Sequence, residues 1–144
     1  MNEQITPNPE MEDSKNPIEI LLKKVETLTS EIQELYCADD IPWVIGYSGG
    51  KDSTAVLQLI WNALESLPKE KRLKKLYVIT TDTMVENPIV SQWVKHSVGA
   101  IKKAADQRKL NIEPHVLHPA VENSFWVCLI GKGYPAPRNK FRWC

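Results

Sequence analysis

The chain has 144 residues, 42% of them hydrophobic, which is enough for one domain with a sizeable core. Its 18 lysines and arginines balance 18 acidic residues, so the overall charge does not indicate a nucleic-acid binder. Three widely spaced cysteines exclude a disulfide framework, and the sequence shows neither a secretory signal nor an apolar run near the ~18 residues that span a bilayer. We therefore expect a cytoplasmic protein with no membrane span.

The first part of the chain divides into a tail and a helix. Residues 1–16 are polar and carry prolines and several acids, a composition that predicts a disordered tail. An amphipathic helix is predicted within residues 17–38, starting at Pro17, a favourable first-turn residue, and ending near Tyr36. We expect its apolar face to pack on the core, and contact with a partner is the alternative. The residues of that face are Ile18, Leu21, Leu22, Val25, Leu28, Ile32 and Leu35.

A strand, a glycine loop and a helix start follow within a dozen residues. Residues 43–45 form a short apolar run that predicts a buried strand, and a helical pattern begins at Ser53 and ends before Pro68. The first backbone N–H groups of a helix lack intrahelical partners, and the helix dipole adds partial positive charge there. Glycines let the backbone approach phosphate oxygens closely. The stretch therefore predicts an anion site; the alternative is an ordinary glycine-rich turn with a surface lysine.

The residues of this loop divide by charge. Lys51 offers a full positive charge, whereas Asp52 would repel phosphate unless it caps the helix or holds a divalent cation. A Walker A loop is excluded, because Gly46 is one residue too close to Gly50 and an aspartate follows the lysine. The candidate phosphate-binding residues are Ser48, Gly49, Gly50, Lys51, Asp52 and Ser53.

A second predicted strand, residues 76–79, ends at a polar stretch that contains Asp82. Ligands of open α/β sheets bind outside the carboxyl ends of the strands, so Asp82 should lie near the glycine loop and hold a metal or a ribose hydroxyl. A turn cap remains the alternative. Glu86 is either a contact at the rim of the cleft or a first-turn acid of the next helix. The predicted inner stripe of that helix is Val90, Trp93, Val94, Ser97, Ile101, Ala104 and Ala105.

The last third of the chain gives weaker patterns. Residues 111–118 predict a third strand broken by Pro114, and His118, at its end, is expected near the bound nucleotide or substrate; a metal site shared with His115 is the alternative. Residues 122–130 suggest a short helix that turns its aromatic side chains and Leu129 inward. Residues 131–144 interleave basic and aromatic side chains, which suits a phosphate backbone or an exposed base, unless they form a surface loop. The inward aromatics are Phe125 and Trp126.

The alternation of strands and helices predicts an α/β fold with an open parallel sheet and flanking helices. Three strands can be identified in the sequence. A nucleotide-binding sheet of this kind normally continues to a further strand on the other side of the first one. We therefore expect the chain to be the N-terminal part of a longer, truncated domain.

Three stretches together resemble one family. They are S-G-G-K-D-S at 48–53, T-D-T-M-V-E-N-P-I-V at 81–90, and F-W-V-C-L-I-G-K-G-Y-P-A-P-R-N-K-F-R-W-C at 125–144. The first resembles the signature of the PP-loop ATP pyrophosphatases, with their adenine nucleotide alpha hydrolase-like fold. The others are similar to the DndC family of sulfurtransferases, in the phosphoadenylylsulfate reductase-like branch. The resemblance implies that residues 43–144 form a PP-loop nucleotide-binding domain.

The resemblance also implies a reaction and its partners. Members of this family use ATP and Mg²⁺ to replace a non-bridging phosphate oxygen of DNA by sulfur, with a cysteine desulfurase as sulfur donor and other Dnd components as partners. It implies catalytic roles for Lys51 and Asp52. It further implies a [4Fe–4S] cluster with Cys144 as one ligand and the other ligands beyond the end of this chain. Cys37 and Cys128 match no ligand position.

Three other functions stay open on the sequence alone. A phosphoadenylyl sulfate reductase of the same branch would release no pyrophosphate from ATP, and it would need a C-terminal cysteine motif that the sequence lacks. A tRNA thiolase would carry a C-x-x-C pair, which is also missing. A fragment that binds nucleotide without catalysis would bind ATP and release nothing.

Overall fold

The computed structural model describes residues 16–138, which form an α/β fold around a parallel sheet with the strand order β1-β2-β3. The longer elements are α1 (Pro17–Cys37), β1 (Trp43–Gly46), α2 (Lys51–Ser66), β2 (Leu76–Thr81), α3 (Pro88–Arg108) and β3 (Ile112–Leu117). This confirms the expected open parallel sheet with flanking helices. Across residues 16–138, no helix has both the length and the apolar character needed to cross a membrane. The tail at 1–15 and Cys144 lie outside the described residues.

The core lies on one face of the sheet. Strand pairing sets Trp43 opposite Leu76, and Leu76 opposite Ile112, so these side chains share a face. Side chains from both crossover helices join them in one buried cluster, including Leu64 of α2 and Ala105 of α3. Parallel crossovers are almost always right-handed, which puts successive helices on the same side when the strand order runs straight through.

The second sheet face, which carries Val44, Tyr77, Ile79, His115 and Leu117, is much less covered. Val44 is 63% exposed and Leu117 is 45% exposed. The rings of Tyr77 and His115 lie 5.6 Å apart across the strands. Parallel sheets usually have both faces covered, so the apolar content of this face is unusual for the part of the chain that the structure describes.

Helix α1 has the predicted start and ends at Cys37. Asn16 caps it by accepting a hydrogen bond from the Ile18 backbone N–H, 3.1 Å. The expectation that its whole apolar face packs on the core is wrong, because Ile18 and Leu21 are 63% and 60% exposed. The contact with α2 lies near the C-terminal end, where the Gln33 amide donates to the Ala63 carbonyl, 2.9 Å. Within residues 16–138, the first turns of α1 therefore present apolar side chains to solvent.

The amino end of the sheet is closed by side-chain contacts. The Tyr36 hydroxyl donates to the Lys74 carbonyl at 2.6 Å, and its ring packs edge-on against Trp43 with 5.5 Å between centroids. The Lys74 ammonium is buried and donates to Asp39 at 2.6 Å. This hydrogen bond lowers the pKa of the Asp39 carboxyl, and burial raises the pKa of the Tyr36 hydroxyl. A ring, a cation and a carboxylate together seal this end.

Two predictions for the last third of the chain need correction. Strand β3 is continuous through Pro114, which lies opposite Val78. A proline lacks an N–H to donate, and such a residue is tolerated on an edge strand, which β3 is among the described strands. The single helix predicted for 122–130 is divided into a 3₁₀ turn, Val121–Asn123, and a short helix that starts at residue 125 and continues as a π-helical turn, Val127–Gly131.

One of the two aromatic side chains predicted to face inward does not. Trp126 is 57% exposed, whereas Phe125 is partly buried and Cys128 is the buried residue of this segment. The π turn begins after Trp126, where the Lys132 N–H donates to the Val127 carbonyl at 2.8 Å, so it widens the helix only beyond the two aromatic residues.

Candidate functional site

The loop between β1 and α2 leaves the helix N-terminus open. Helix α2 begins at Lys51 rather than at Ser53, so Lys51 and Asp52 belong to its first turn. Gly50 is the N-cap and forms no side-chain cap hydrogen bond. Gly49 has a φ of +74°, a left-handed conformation that favours glycine. The first backbone donors of α2 therefore have no side-chain acceptor at the cap, as an anion site requires.

Hydroxyl groups hold this loop in shape. The Ser48 and Ser53 hydroxyl oxygens lie 3.1 Å apart, and the Ser53 hydroxyl donates to the Gly50 carbonyl at 3.1 Å. The Thr54 hydroxyl donates to the same carbonyl at 2.7 Å. The loop is thus pinned to the first turn of α2 before any ligand binds. Thr54 was missed from the sequence, although a hydroxyl residue four positions after the N-cap is a known partner for that carbonyl.

Helix α3 supports the loop from the side. A Cβ atom on Gly49 would lie 3.5 Å from Trp93 Nε1 and 3.6 Å from Val94 Cγ2. Trp93, predicted as a core residue, is 58% exposed and sits against the glycine loop instead. The positive φ restricts residue 49 to glycine, whereas an added Cβ would only make ordinary van der Waals contact with α3.

The connection between β2 and α3 is built differently, with its own side chains as caps. Asp82 Oδ1 accepts from the Met84 N–H at 2.9 Å, and Asn87 Oδ1 accepts from the Ile89 N–H at 2.9 Å. Asn87 is the N-cap of α3, so Glu86 precedes the helix and the first-turn role for it is wrong. Glu86 instead accepts a hydrogen bond from the Thr83 hydroxyl, 3.0 Å. Asp82 therefore acts as a turn cap, the alternative role predicted for it, through Oδ1.

A cavity of about 560 Å³ opens between the carboxyl ends of β1 and β2 and the start of α3. We call it the loop cavity. Ser48 and Asp82 line it, whereas the other predicted ligands, residues 49–53, lie beside it in the loop and the first turn of α2. Its lining residues are Gly46, Tyr47, Ser48, Ile79, Thr80, Thr81, Asp82, Thr83, Glu86, Val90, Ser91, Val94, Lys95 and Val116. This is the edge of the sheet at which Asp82 was expected.

Two polar residues of this lining were not anticipated from the sequence. Ser91 and Lys95 lie four positions apart on α3 and therefore on one face of the helix. The same face carries Val90 and Val94, which had been assigned to the core. No local pattern of the sequence marks these two residues, because they reach the cavity only through the packing of α3 against the sheet.

Metal ligation finds little support in residues 16–138. No group of three or more His, Cys, Asp or Glu side chains there is arranged to hold a metal ion. Cys37 is exposed and Cys128 is buried, and both are free thiols. A four-iron cluster needs about four thiolates, so the residues described here do not fit one. Cys144 lies outside the described residues, and a metal site joining His115 to His118 gains no support.

Comparison of the chain with known protein families, curated proteins and solved structures finds no match. The functional assignment therefore depends on the chemistry of the site and on the motifs at residues 48–53, 81–90 and 125–144.

Proposed function

We propose that the chain binds ATP at the carboxyl edge of its sheet, with the triphosphate on the glycine loop and the nucleoside in the loop cavity. The uncapped N-terminus of α2 carries this proposal. Backbone N–H groups at such a terminus are donors that phosphate oxygens can satisfy, and the helix dipole favours the negative charge. The cavity of about 560 Å³ falls within the range of about 300–1,000 Å³ typical of small-molecule sites.

The charged residues of the loop suit cleavage between the α and β phosphates. Lys51 lies in the first turn of α2, where its ammonium group would offset the charge that develops on pyrophosphate as the bond breaks. Asp52 and Asp82 are the carboxylates next to the phosphate site, and carboxylate oxygens are ligands that Mg²⁺ accepts. Magnesium, when bound, would neutralise part of the phosphate charge.

The reaction we propose begins with an attack on ATP. An oxygen of an acceptor phosphate forms a bond to the α-phosphorus, the bond from that phosphorus to the bridging oxygen breaks, and pyrophosphate leaves. The acceptor oxygen then carries AMP, which makes it a good leaving group. In this step the donors at the start of α2 and Lys51 stabilise the departing pyrophosphate.

We further propose that the acceptor is a backbone phosphate of DNA. The outer sulfur of a cysteine desulfurase persulfide attacks its phosphorus, AMP leaves with the activated oxygen, and a thiol reductant cleaves the resulting S–S bond, which leaves sulfur on the phosphate. The motifs at 81–90 and 125–144 support this, since they resemble the DndC sulfurtransferases. The described part of the last motif is basic and aromatic. Lys132 there lies over the ring of Tyr134, 5.9 Å from its centroid, in a segment that also contains Arg138. The other Dnd components and the iron–sulfur cluster belong to the same proposal and depend on the resemblance alone.

The test is pyrophosphate release from ATP and Mg²⁺ by the chain, by a longer version that continues past Cys144, and by Lys51→Ala of each. We expect release by the longer version and a loss of about 100-fold in Lys51→Ala, the usual effect of removing one group that stabilises transition-state charge. Lys71→Ala is the matched control, because Lys71 is an exposed lysine in the turn Lys69–Lys71, beyond the far end of α2.

Equal release by the wild type and Lys51→Ala would contradict the assigned role of the loop. Absence of release from every form, combined with tight binding of phosphoadenylyl sulfate, would replace the ATP reaction by a reductase. Binding of ATP without release by the longer version would indicate a nucleotide-binding protein that catalyses nothing.

A further inference from the structure

A second cavity, of about 320 Å³, lies next to the loop cavity. We call it the side cavity. It opens between the end of β3 and the segment after it, and it shares a wall with the loop cavity at Thr81, Asp82 and Thr83. Its other lining residues are Leu117, His118, Pro119, Asn123 and Phe125. A group in the side cavity would therefore be a direct neighbour of a nucleotide in the loop cavity.

The lining of the side cavity combines a flat ring with hydrogen-bonding groups. Phe125 lines the cavity, and its ring also meets that of Trp126 edge-on, with 5.2 Å between centroids and 89° between planes. His118 is half exposed, and its Nδ1 lies 3.9 Å from Asp82 Oδ2. An aromatic ring, an imidazole and the Asn123 amide are the groups that proteins use to stack an unpaired base and to bind its edge.

A positive charge lies next to one of the residues that line this cavity. The Lys132 ammonium lies 3.3 Å from Asn123 Oδ1, and Asn123 lines the cavity. A lysine in that position can pair with a phosphate of the backbone on either side of a bound base. The side cavity thus offers, within a few residues, contacts for both the base and the phosphate of one nucleotide.

We propose that the side cavity takes one unpaired nucleotide of the acceptor strand and holds its phosphate at the shared wall, beside the α-phosphate of ATP. This inference depends on the proposed function, because it names the place of the acceptor in that reaction. The base lies against Phe125 and His118, and Lys132 faces the neighbouring backbone. The volume of about 320 Å³ is at the lower end of small-molecule sites and fits a single nucleotide.

The experiment measures binding of a fluorescein-labelled single-stranded oligonucleotide to the full chain by anisotropy. Phe125→Leu keeps an apolar side chain but removes the ring, and we expect it to weaken binding about tenfold. Trp126→Leu is the matched control, since Trp126 is an exposed neighbouring aromatic that does not line the cavity. An oligonucleotide with one abasic position should lose affinity for the wild type and not for Phe125→Leu.

Circular dichroism of every variant shows whether it is folded. His118→Gln is a second variant of the cavity lining, which tests the proposal if Phe125→Leu does not fold. Equal losses in Phe125→Leu and Trp126→Leu would overturn the proposal, because they would indicate general surface stacking. So would the absence of oligonucleotide binding by the wild type, or full competition by thymidine monophosphate, which would indicate a free nucleotide rather than a strand.

ATP binding by the same variants separates this proposal from the proposed function. Phe125→Leu should bind ATP as the wild type does, whereas Lys51→Ala should lose ATP and keep the oligonucleotide. If the wild type does not bind ATP, the proposed function is wrong. The oligonucleotide measurements would then still test whether the side cavity binds a nucleotide.

Discussion

The two ends of the sheet are built on opposite principles. At the amino end, a buried tyrosine, a buried lysine and an aspartate close the gap between α1 and the strands, and their polar atoms bond to one another. At the carboxyl end, the connection from β1 to α2 is made of glycines and leaves the helix start without a side-chain cap. Side-chain contacts thus close the amino end of the sheet, whereas an uncapped helix start and two cavities lie at the carboxyl end.

The connection from β2 to α3 also lies at the carboxyl end, but the helix that follows it has a side-chain cap. Asn87 closes the N-terminus of α3 with its own side chain. Two helices therefore begin at the same edge of the sheet, and one of them is left open. We therefore expect an anion to bind at the N-terminus of α2, whereas α3 contributes side chains to the cavity wall rather than free backbone N–H donors.

The largest effect on stability should follow from Tyr36→Ala at the closed end. Tyr36 is 2% exposed, so the change removes a buried ring and a hydrogen bond, and we expect the free energy of unfolding to fall by about 3–5 kcal/mol. Urea unfolding measures it. Tyr36→Phe, which loses only the hydroxyl, should cost about 1 kcal/mol. ATP affinity should be unchanged at temperatures where the variant is folded; a matching loss of ATP binding would break the division between the two ends.

The next effect concerns the open end. Gly50→Asp gives α2 the kind of cap that α3 already has and puts a negative charge where phosphate should bind. We expect ATP to bind at least about tenfold more weakly, equal to 1.4 kcal/mol, while stability stays level or rises by only about 0.2–0.4 kcal/mol. The backbone of Gly50 is extended, and an added Cβ would meet Ser48 Oγ at 3.4 Å, so the change can be accommodated.

Isothermal titration with ATP measures this change, and Gly50→Asn is the control that supplies a cap without the charge. The asparagine variant should fall between the wild type and the aspartate. If Gly50→Asp binds ATP as tightly as the wild type, the N-terminus of α2 is not the phosphate site.

These expectations show how far the sequence alone could lead. Apolar spacing identified the strands and the long helices, because burial on one face imposes period two or 3.6 wherever the backbone is regular. The glycine loop and Asp82 were found because their chemistry is local. The roles of Trp93 at the glycine loop and of Lys95 in the loop cavity were not found, because both depend on how α3 packs against the sheet. The prediction of one regular helix for residues 122–130 failed for a related reason, because the π turn after Trp126 contains an extra residue and breaks the fixed helical period.

The smallest effect concerns pH at the closed end. The hydrogen bond from Lys74 lowers the pKa of Asp39 below its ordinary value of 3.8. A lowered pKa means that this carboxylate contributes stability above the unfolded pKa, and that the contribution disappears as pH falls through the folded pKa. Urea midpoints of the wild type should therefore drop more between pH 5 and about pH 3 than those of Asp39→Asn. Parallel curves for the two proteins would contradict the role of this pair, and ATP affinity at neutral pH should not differ.

The second sheet face has a consequence for how this protein behaves in solution. Within residues 16–138, the apolar side chains of Val44 and Leu117 are exposed on a parallel sheet, a type of sheet that usually has both faces covered. Two molecules can remove that surface from water by meeting face to face, and the free energy gained depends on how often they meet. A melting temperature that rises with protein concentration would indicate that two molecules pair through this face, and one that stays constant would contradict such pairing.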